Sequence, residues 1–178
     1  MVAKQTIAVI APGDMGGGVG QALVNAGHDV VTTLAGRSEA SRARAERCGF
    51  RGLPDLDAVV GMADLVLSIL PPASAIDLAS ETAAAMSRTG ARPVYMDCNA
   101  ISPATTARVG AEITGAGAAY IDCGIIGWAP GKGPQPTRFY VSGPDLSPAD
   151  ALAVEGIMVK GVGAEIGRAS ALKMLYAG

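Results

Sequence analysis

The sequence predicts a doubly wound α/β fold built on a mostly parallel sheet. Three observations carry that expectation. Short apolar runs alternate with helical stretches along the chain. The runs are continuously apolar rather than alternating, which suits strands covered on both faces. The first run leads into a glycine-rich stretch, "IAVIAPGDMGGGVGQALVNAGHDVV" from Ile7, with six glycines between Gly13 and Gly27.

The elements follow in order. "TIAVIA" (6–11) predicts a buried strand, and the helix after it runs to about Asn25. "DVVTTL" (29–34) is a second strand, and "SEASRARAERCG" (38–49) a polar-faced helix capped by Ser38. "ADLVLSIL" (63–70) is a strand that ends at Leu70, before Pro71 and Pro72. "ASAIDLASETAAAMS" (73–87) is helical and "PVYMDC" (93–98) a strand. Ser102-Pro103 opens another helix, with proline in its first turn. "AAYIDCG" (118–124) and "RFYVSG" (138–143) read as strands. "SPADALAVEGIMV" (147–159) repeats the Ser-Pro start and reads as a helix. "SALKMLYAG" (170–178) begins a last helix, with Lys173 inside it. The expected organisation is one α/β domain over 1–168 and the start of a further helix over 169–178. A lone helix this short is marginal in water. The expectation is therefore a fragment, or a tail that packs on a neighbour.

A chain of 178 residues is one ordinary domain or slightly more. With 49% apolar and 17% charged residues it can bury a core. The formal net charge of −2, with scattered basic residues, gives no reason to expect nucleic acid or an anionic membrane as partner. No apolar stretch approaches the ~18 residues of a membrane span, and no signal-peptide anatomy precedes the first strand. Cys48, Cys98 and Cys123 form no C-x-x-C pair, which fits a reduced, cytoplasmic compartment. The one histidine, His28, has no ligand cluster around it, so no metal is expected.

Glycines between a first strand and a first helix remove side chains where a backbone must come close to something. In a dinucleotide-binding unit they allow the tight turn, approach to the pyrophosphate, and packing of helix on strand. No G-x-G-x-x-G reads through this loop. The nearest fit is Ala11-x-Gly13-x-x-Gly16, with Ala11 in the first slot. Ala11, Pro12, Gly13, Asp14, Met15 and Gly16 are the expected cofactor loop, the anion resting on the helix N-terminus. The plain alternative is a glycine-rich turn with no ligand.

The end of the second strand reads the adenosine ribose. A carboxylate there accepts from the 2′-OH of NAD. Here Arg37 and Ser38 follow Gly36, a pairing that suits a 2′-phosphate. NADP is therefore expected over NAD. Glu39 swinging inward would restore NAD binding, and Ser38 as a simple cap with Arg37 in solvent would remove the argument. His28 reads as a residue fixing the turn after Gly27. Cys98 and Cys123 each follow an aspartate at a strand end, which places them close together on the sheet as buried, inert thiols.

These pieces together resemble the β-hydroxyacid dehydrogenase family, which includes 3-hydroxyisobutyrate and 6-phosphogluconate dehydrogenases. "APGDMGGGVGQALVNAGHDV" is similar to its glycine loop, helix and Gly-His turn; "LVLSILPP" to its strand ending in Leu-Pro; "DCNAISPATT" to its Asp-x-Ser-Thr-x-Ser-Pro motif; "ASALKMLYAG" to the start of its interdomain helix. The resemblance implies a Rossmann-type domain whose cofactor site adds Leu70, Pro71, Pro72 and Asn99. It also implies a catalytic lysine at Lys173, a further helical domain, and a homodimer in the full-length protein.

The departures bear on substrate. The family's Asp-x-Pro-x-Ser-Gly-Gly becomes "DCGIIGW", which puts Ile126 in place of the serine and Trp128 in place of the second glycine, with Gly127 between them. Lys-x-x-Asn-Asn becomes Lys173-x-x-Tyr176-Ala177. Asn99, Ile126, Gly127, Trp128 and Tyr176 are the expected substrate contacts, for a small molecule bulkier or less anionic than the usual hydroxy acids. Trp128 is expected as a pocket wall, the alternative being a packed core aromatic. The implied reaction is hydride transfer between a nicotinamide and a hydroxy or keto acid-type substrate. Lys173 exchanges the proton as general acid or base. Imine reduction and a non-catalytic NADP-binding module are the competing readings.

Overall fold

The computed structural model describes residues 3–177. Eight strands form one sheet in the order β3-β2-β1-β4-β5-β6-β7-β8. They are β1 (Thr6–Ile10), β2 (Asp29–Thr33), β3 (Arg51–Leu53), β4 (Leu65–Ser68), β5 (Val94–Asp97), β6 (Tyr120–Ile126), β7 (Thr137–Ser142) and β8 (Ile157–Gly161). All neighbours run parallel except β6 and β7. The order reverses between β1 and β4, the crevice where open α/β sheets bind ligands.

Among the described residues six helices cover the sheet: α1 (Asp14–Asn25), α2 (Glu39–Arg47), α3 (Leu56–Met62), α4 (Ala75–Thr89), α5 (Pro103–Gly115) and α6 (Arg168–Ala177). Two apolar clusters lie on the two faces. Ile7, Val9, Val30, Leu65 and Met96 pack with Val19 and Leu23 of α1. Ala8, Ile10, Val31, Val66 and Tyr95 pack with residues of α3, α4 and α5. Burial of the central strands β1, β4, β5 and β6 on both faces accounts for their continuous apolar sequences. Ser38, Asp55 and Ser102 each accept a main-chain N–H bond as caps of α2, α3 and α5. Among the described residues no helix is long and apolar enough to cross a membrane.

The expected helix over 147–159 is corrected. Ser147–Leu152 is a 3₁₀ turn, and Ile157–Gly161 is strand β8, parallel to β7. The break falls at Gly156, whose φ of +86° lies in the left-handed region that favours glycine. The sequence reading assigns no element to 50–62, where the short β3 and α3 lie. His28 fixes its turn as expected: its Nδ1 accepts from the Gln5 N–H at 3.2 Å.

One row of aligned residues crosses four strands: Ser68, Asp97, Asp122 and Ser142. All four are buried. Asp122 Oδ2 accepts from Ser142 Oγ (3.0 Å), Gly167 N (2.9 Å) and Ser170 N (3.0 Å), and Oδ1 accepts from Ser170 Oγ (2.6 Å). The N-terminus of α6 is thus tied to β6 by a buried carboxylate. Asp122→Asn replaces one acceptor with a donor that faces donors. It is expected to lower stability by about 2–3 kcal/mol, read as a lower urea midpoint and loss of helical signal from α6.

Candidate functional site

The glycine loop leaves β1 at Ile10, beside the end of β4. The Ala11 N–H donates to Ile69 O at 3.1 Å, and the Gly13 N–H folds back onto Ala11 O at 2.8 Å. A Cβ on Gly16 would collide with that same Ala11 carbonyl. Gly16 is therefore the close-packing glycine of helix on turn, as expected. A Cβ on Gly13 would meet no protein atom within 4 Å, so the space in front of it is open. Gly13 is also the N-cap of α1 and supplies no side-chain cap. The N–H groups of the first turn, Asp14 to Gly16, have no carbonyl four residues back inside the helix to bond. The result is an open cradle of main-chain N–H groups at the switch point of the sheet, a geometry that suits an anion.

Arg37 and Ser38 lie beyond the end of β2. The Arg37 N–H closes a turn on Leu34 O at 3.1 Å, and its side chain is half-buried. Ser38 Oγ caps α2 by accepting from Ser41 N at 3.2 Å. Glu39 is exposed in the first turn of α2.

Leu70, Pro71 and Pro72 form the rim past β4, with the two prolines exposed. Asn99, two residues past β5, fixes that rim. Its Oδ1 accepts from Leu70 N at 2.6 Å, its Nδ2 donates to Ser68 Oγ at 2.8 Å, and its own N–H donates to Asp97 Oδ1 at 2.8 Å. Asn99 is buried, so its amide is spent largely on joining two strand ends.

Lys173 is brought to the end of β6. Its Nζ donates to Ile125 O at 2.5 Å. Gly124 makes this possible: a Cβ there would sit 2.8 Å from Ala169 O and 3.0 Å from Lys173 Cβ. Ile126 is buried at the end of β6, and Gly127 has a φ of +112°. Trp128 is 69% exposed and folds over Gly133 of its own loop, so it is not a core aromatic. Tyr176, one turn beyond Lys173 on α6, is 58% exposed.

Several residues of this region were not among the expected set: Asp97, Asp122, Gly124, Ser170, Arg44 and Lys132. Two carboxylates inside apolar strands and a glycine within "IDCGII" were the visible signals. Cys98 and Cys123 do lie on adjacent positions of β5's end and β6, both buried. Burial, together with the Cys123 thiol, pushes the Cys98 pKa up, so it is an inert thiol. A hollow of about 660 Å³ between α1 and residues 130–131 and 153–156 contains none of the expected site residues.

An open cradle at the first β–α turn, on a sheet of this order, defines a dinucleotide-binding α/β domain. The family described as the NAD-binding domain of 6-phosphogluconate dehydrogenase matches residues 6–155, and the chain belongs to that family. An uncharacterised 28.5 kDa protein of Methanothermus fervidus is 29% identical over 147 residues, 83% of this chain and 54% of that protein. A conserved protein of unknown function, described as structurally similar to 3-hydroxyacid dehydrogenases, superposes with a TM-score of 0.84 at 29% identity, over 97% of this chain and 63% of that one. The Mycobacterium tuberculosis 3-hydroxyisobutyrate dehydrogenase with L-serine shares the fold, with a TM-score of 0.80 at 23% identity, over 98% and 59% of the two chains. The chain thus spans about three-fifths of the length of these proteins.

Asp97 carries a pH signature. Burial raises its pKa to about 6, the Asn99 N–H opposes this, and the Asp122 charge adds to it. Its Oδ2 has no partner among the described residues. A carboxyl that binds its proton more tightly in the native state contributes stability at low pH and loses it as pH rises. Between pH ~3 and ~7 the native state should lose about 3 kcal/mol relative to Asp97→Asn, most of it between pH ~4 and ~6. Urea midpoints of the two proteins, measured across that window, check this; parallel curves would contradict it.

Proposed function

We propose that this chain is the cofactor-binding part of an NADP(H)-dependent oxidoreductase acting on a small molecule, with Lys173 as its general acid or base. The observation that carries the reading is the uncapped first turn of α1, with open space at Gly13 and helix packed on strand at Gly16. The family match over residues 6–155 supports it. The site is chemically suited to the cofactor: main-chain N–H groups of Asp14 to Gly16 would hold the pyrophosphate, and Arg37 with Ser38 the 2′-phosphate. Leu70, Pro71 and Pro72, fixed by Asn99, would form the rim near the ring, with Ala11, Pro12 and Met15 completing the loop.

The bound nicotinamide supplies or accepts the hydride. The protein's own part is a proton. Lys173 Nζ takes the hydroxyl proton as the C–H hydride leaves, and returns it to the alkoxide in reduction. Its bond to Ile125 O holds the amino group at the end of β6 and aims it from a fixed carbonyl. Ile126 supplies no hydroxyl for a substrate carboxylate, and Trp128 offers an apolar wall. Both favour a substrate bulkier or less anionic than a small hydroxy acid. Residues 1–168 form the nucleotide domain in this reading, and α6 begins a connection to a substrate domain and a homodimer.

Calorimetric titration of the chain with NADPH and NADH tests the cofactor. NADPH should bind more tightly, and Arg37→Ala should weaken NADPH about tenfold while leaving NADH nearly unchanged, the worth of one charge-assisted contact. Equal or tighter NADH binding would remove the NADP preference, and no heat from either would remove the reading.

In the full-length protein Lys173→Met should cut kcat by about 10²–10⁴ with cofactor affinity kept. NADPH consumption against keto acids and imines provides the assay. Unchanged turnover takes Lys173 out of the chemistry, and turnover of imines alone would move the reaction from C–O to C–N reduction.

A further inference from the structure

Two cations flank the first turn of α1 from different sides. Arg44 of α2 crosses Gly17, where a Cβ would lie 2.9 Å from its Cδ. Its Nη1 donates to Pro12 O at 3.1 Å, and its Nη2 is 3.4 Å from Asp14 Oδ1. Lys132, in the loop between β6 and β7, brings Nζ to 3.6 Å from the same oxygen. Gly18 permits this second approach, since a Cβ there would be 3.1 Å from Ala129 Cβ and 3.3 Å from Pro130 Cδ. Gly18 lies one helical turn beyond Asp14 on the same face. The loop therefore runs along that face of α1 toward the phosphate cradle. A carboxylate at the first turn suits the positive end of a helix, but it has the same sign as a pyrophosphate.

We propose that Asp14 is a built-in counter-ion, and that an incoming pyrophosphate takes over its cations, with Lys132 becoming a direct phosphate ligand. This rests on the reading of α1 as the dinucleotide site. Arg44, held by Pro12 O and packed on Gly17, is the fixed member of the pair; Lys132 is the mobile one. Lys132 shares its loop with Trp128, whose side chain lies against Gly133. Capture of Lys132 by phosphate therefore fixes the loop that carries the candidate substrate wall, and cofactor binding precedes an ordered substrate pocket.

The test uses the intact chain, with NADPH and with ADP-ribose, which keeps the pyrophosphate but lacks the nicotinamide. Both substituted side chains are more than half exposed, and thermal melts check that the variants fold. Lys132→Gln should weaken both ligands about fivefold, and Asp14→Asn should strengthen both by a similar factor, the size of one well-placed surface charge pair. Trp128 is the only tryptophan in the chain. Its fluorescence should change on ADP-ribose binding to the wild-type chain, and that change should vanish in Lys132→Gln. Unaltered affinity in Lys132→Gln, or weaker binding by Asp14→Asn, overturns the inference while leaving the dinucleotide site standing. A wild-type chain that binds neither ligand overturns the site itself and the inference with it.

Discussion

The buried carboxylate of Asp122 is the constraint on which the rest of the site depends. An ionised group inside a sheet is expensive unless its lone pairs are filled. Here they are filled by two main-chain N–H groups at the start of α6 and by two serine hydroxyls. A helix N-terminus is suited to that task, because its N–H groups are unpaired and its dipole favours an anion. Once α6 is pinned there, the position of Lys173 follows. Ala169 and Lys173 sit over Gly124, and the lysine reaches the next carbonyl of β6. Thr106 of α5 closes the arrangement from the other side through Ser170 Oγ at 2.8 Å.

Close approach is the second theme. Four consecutive or near-consecutive glycines of α1 each have a distinct neighbour: Gly16 the Ala11 carbonyl, Gly17 the Arg44 side chain, Gly18 the Ala129–Pro130 segment and Gly20 the Phe50 ring. Glycine inside a helix costs up to about 1 kcal/mol against alanine. The packing of turn, α2, loop and Phe50 around α1 offsets that cost, whereas Gly13, just before the helix, faces open space. The glycine run is thus mostly about packing on three sides of one helix. A nucleotide is needed to explain only its first member.

Much of this was legible in the sequence, and the failures have physical causes. β1, β2, β4, β5, β6 and β7 were visible as apolar runs because both faces of a parallel sheet are covered. β8 was hidden by the Ser-Pro start before it, which gives a 3₁₀ turn as readily as an α-helix, although Gly156 marked the break. β3 contains an exposed arginine and a glycine in three residues, so no apolar run announces it. Within the candidate site, the glycine loop is visible as a run of small residues, and Lys173 stands out only through the resemblance of its helix. The role of the Asn99 amide could not be read there. It looks like a ligand donor in sequence, whereas in the fold it links Leu70 to Ser68. Lys132 carried no signal at all, because its partner Asp14 is more than a hundred residues away and only the packing of Pro130 on Gly18 brings them together.

Asp97 and Asp122 show how position alone divides two like groups. They are register partners on adjacent parallel strands, on the same face of the sheet. Asp122 receives four hydrogen bonds, whereas Asp97 receives one main-chain N–H on Oδ1 and none on Oδ2. Two neighbouring buried carboxylates resist carrying charge together. Burial and the neighbouring Asp122 carboxyl raise the Asp97 pKa to about 6, against the opposing Asn99 N–H. That asymmetry has a consequence for the rim. Asp97 Oδ1 orients the Asn99 N–H, Asn99 orients Leu70, and the prolines follow. The carboxyl whose pKa is raised is therefore the one at the root of the Asn99 turn. The lysine side of the cleft is built on the fully hydrogen-bonded Asp122 and the Leu70–Pro72 side on Asp97, so protonation around pH 6 would reach the site through β5 and the Asn99 turn.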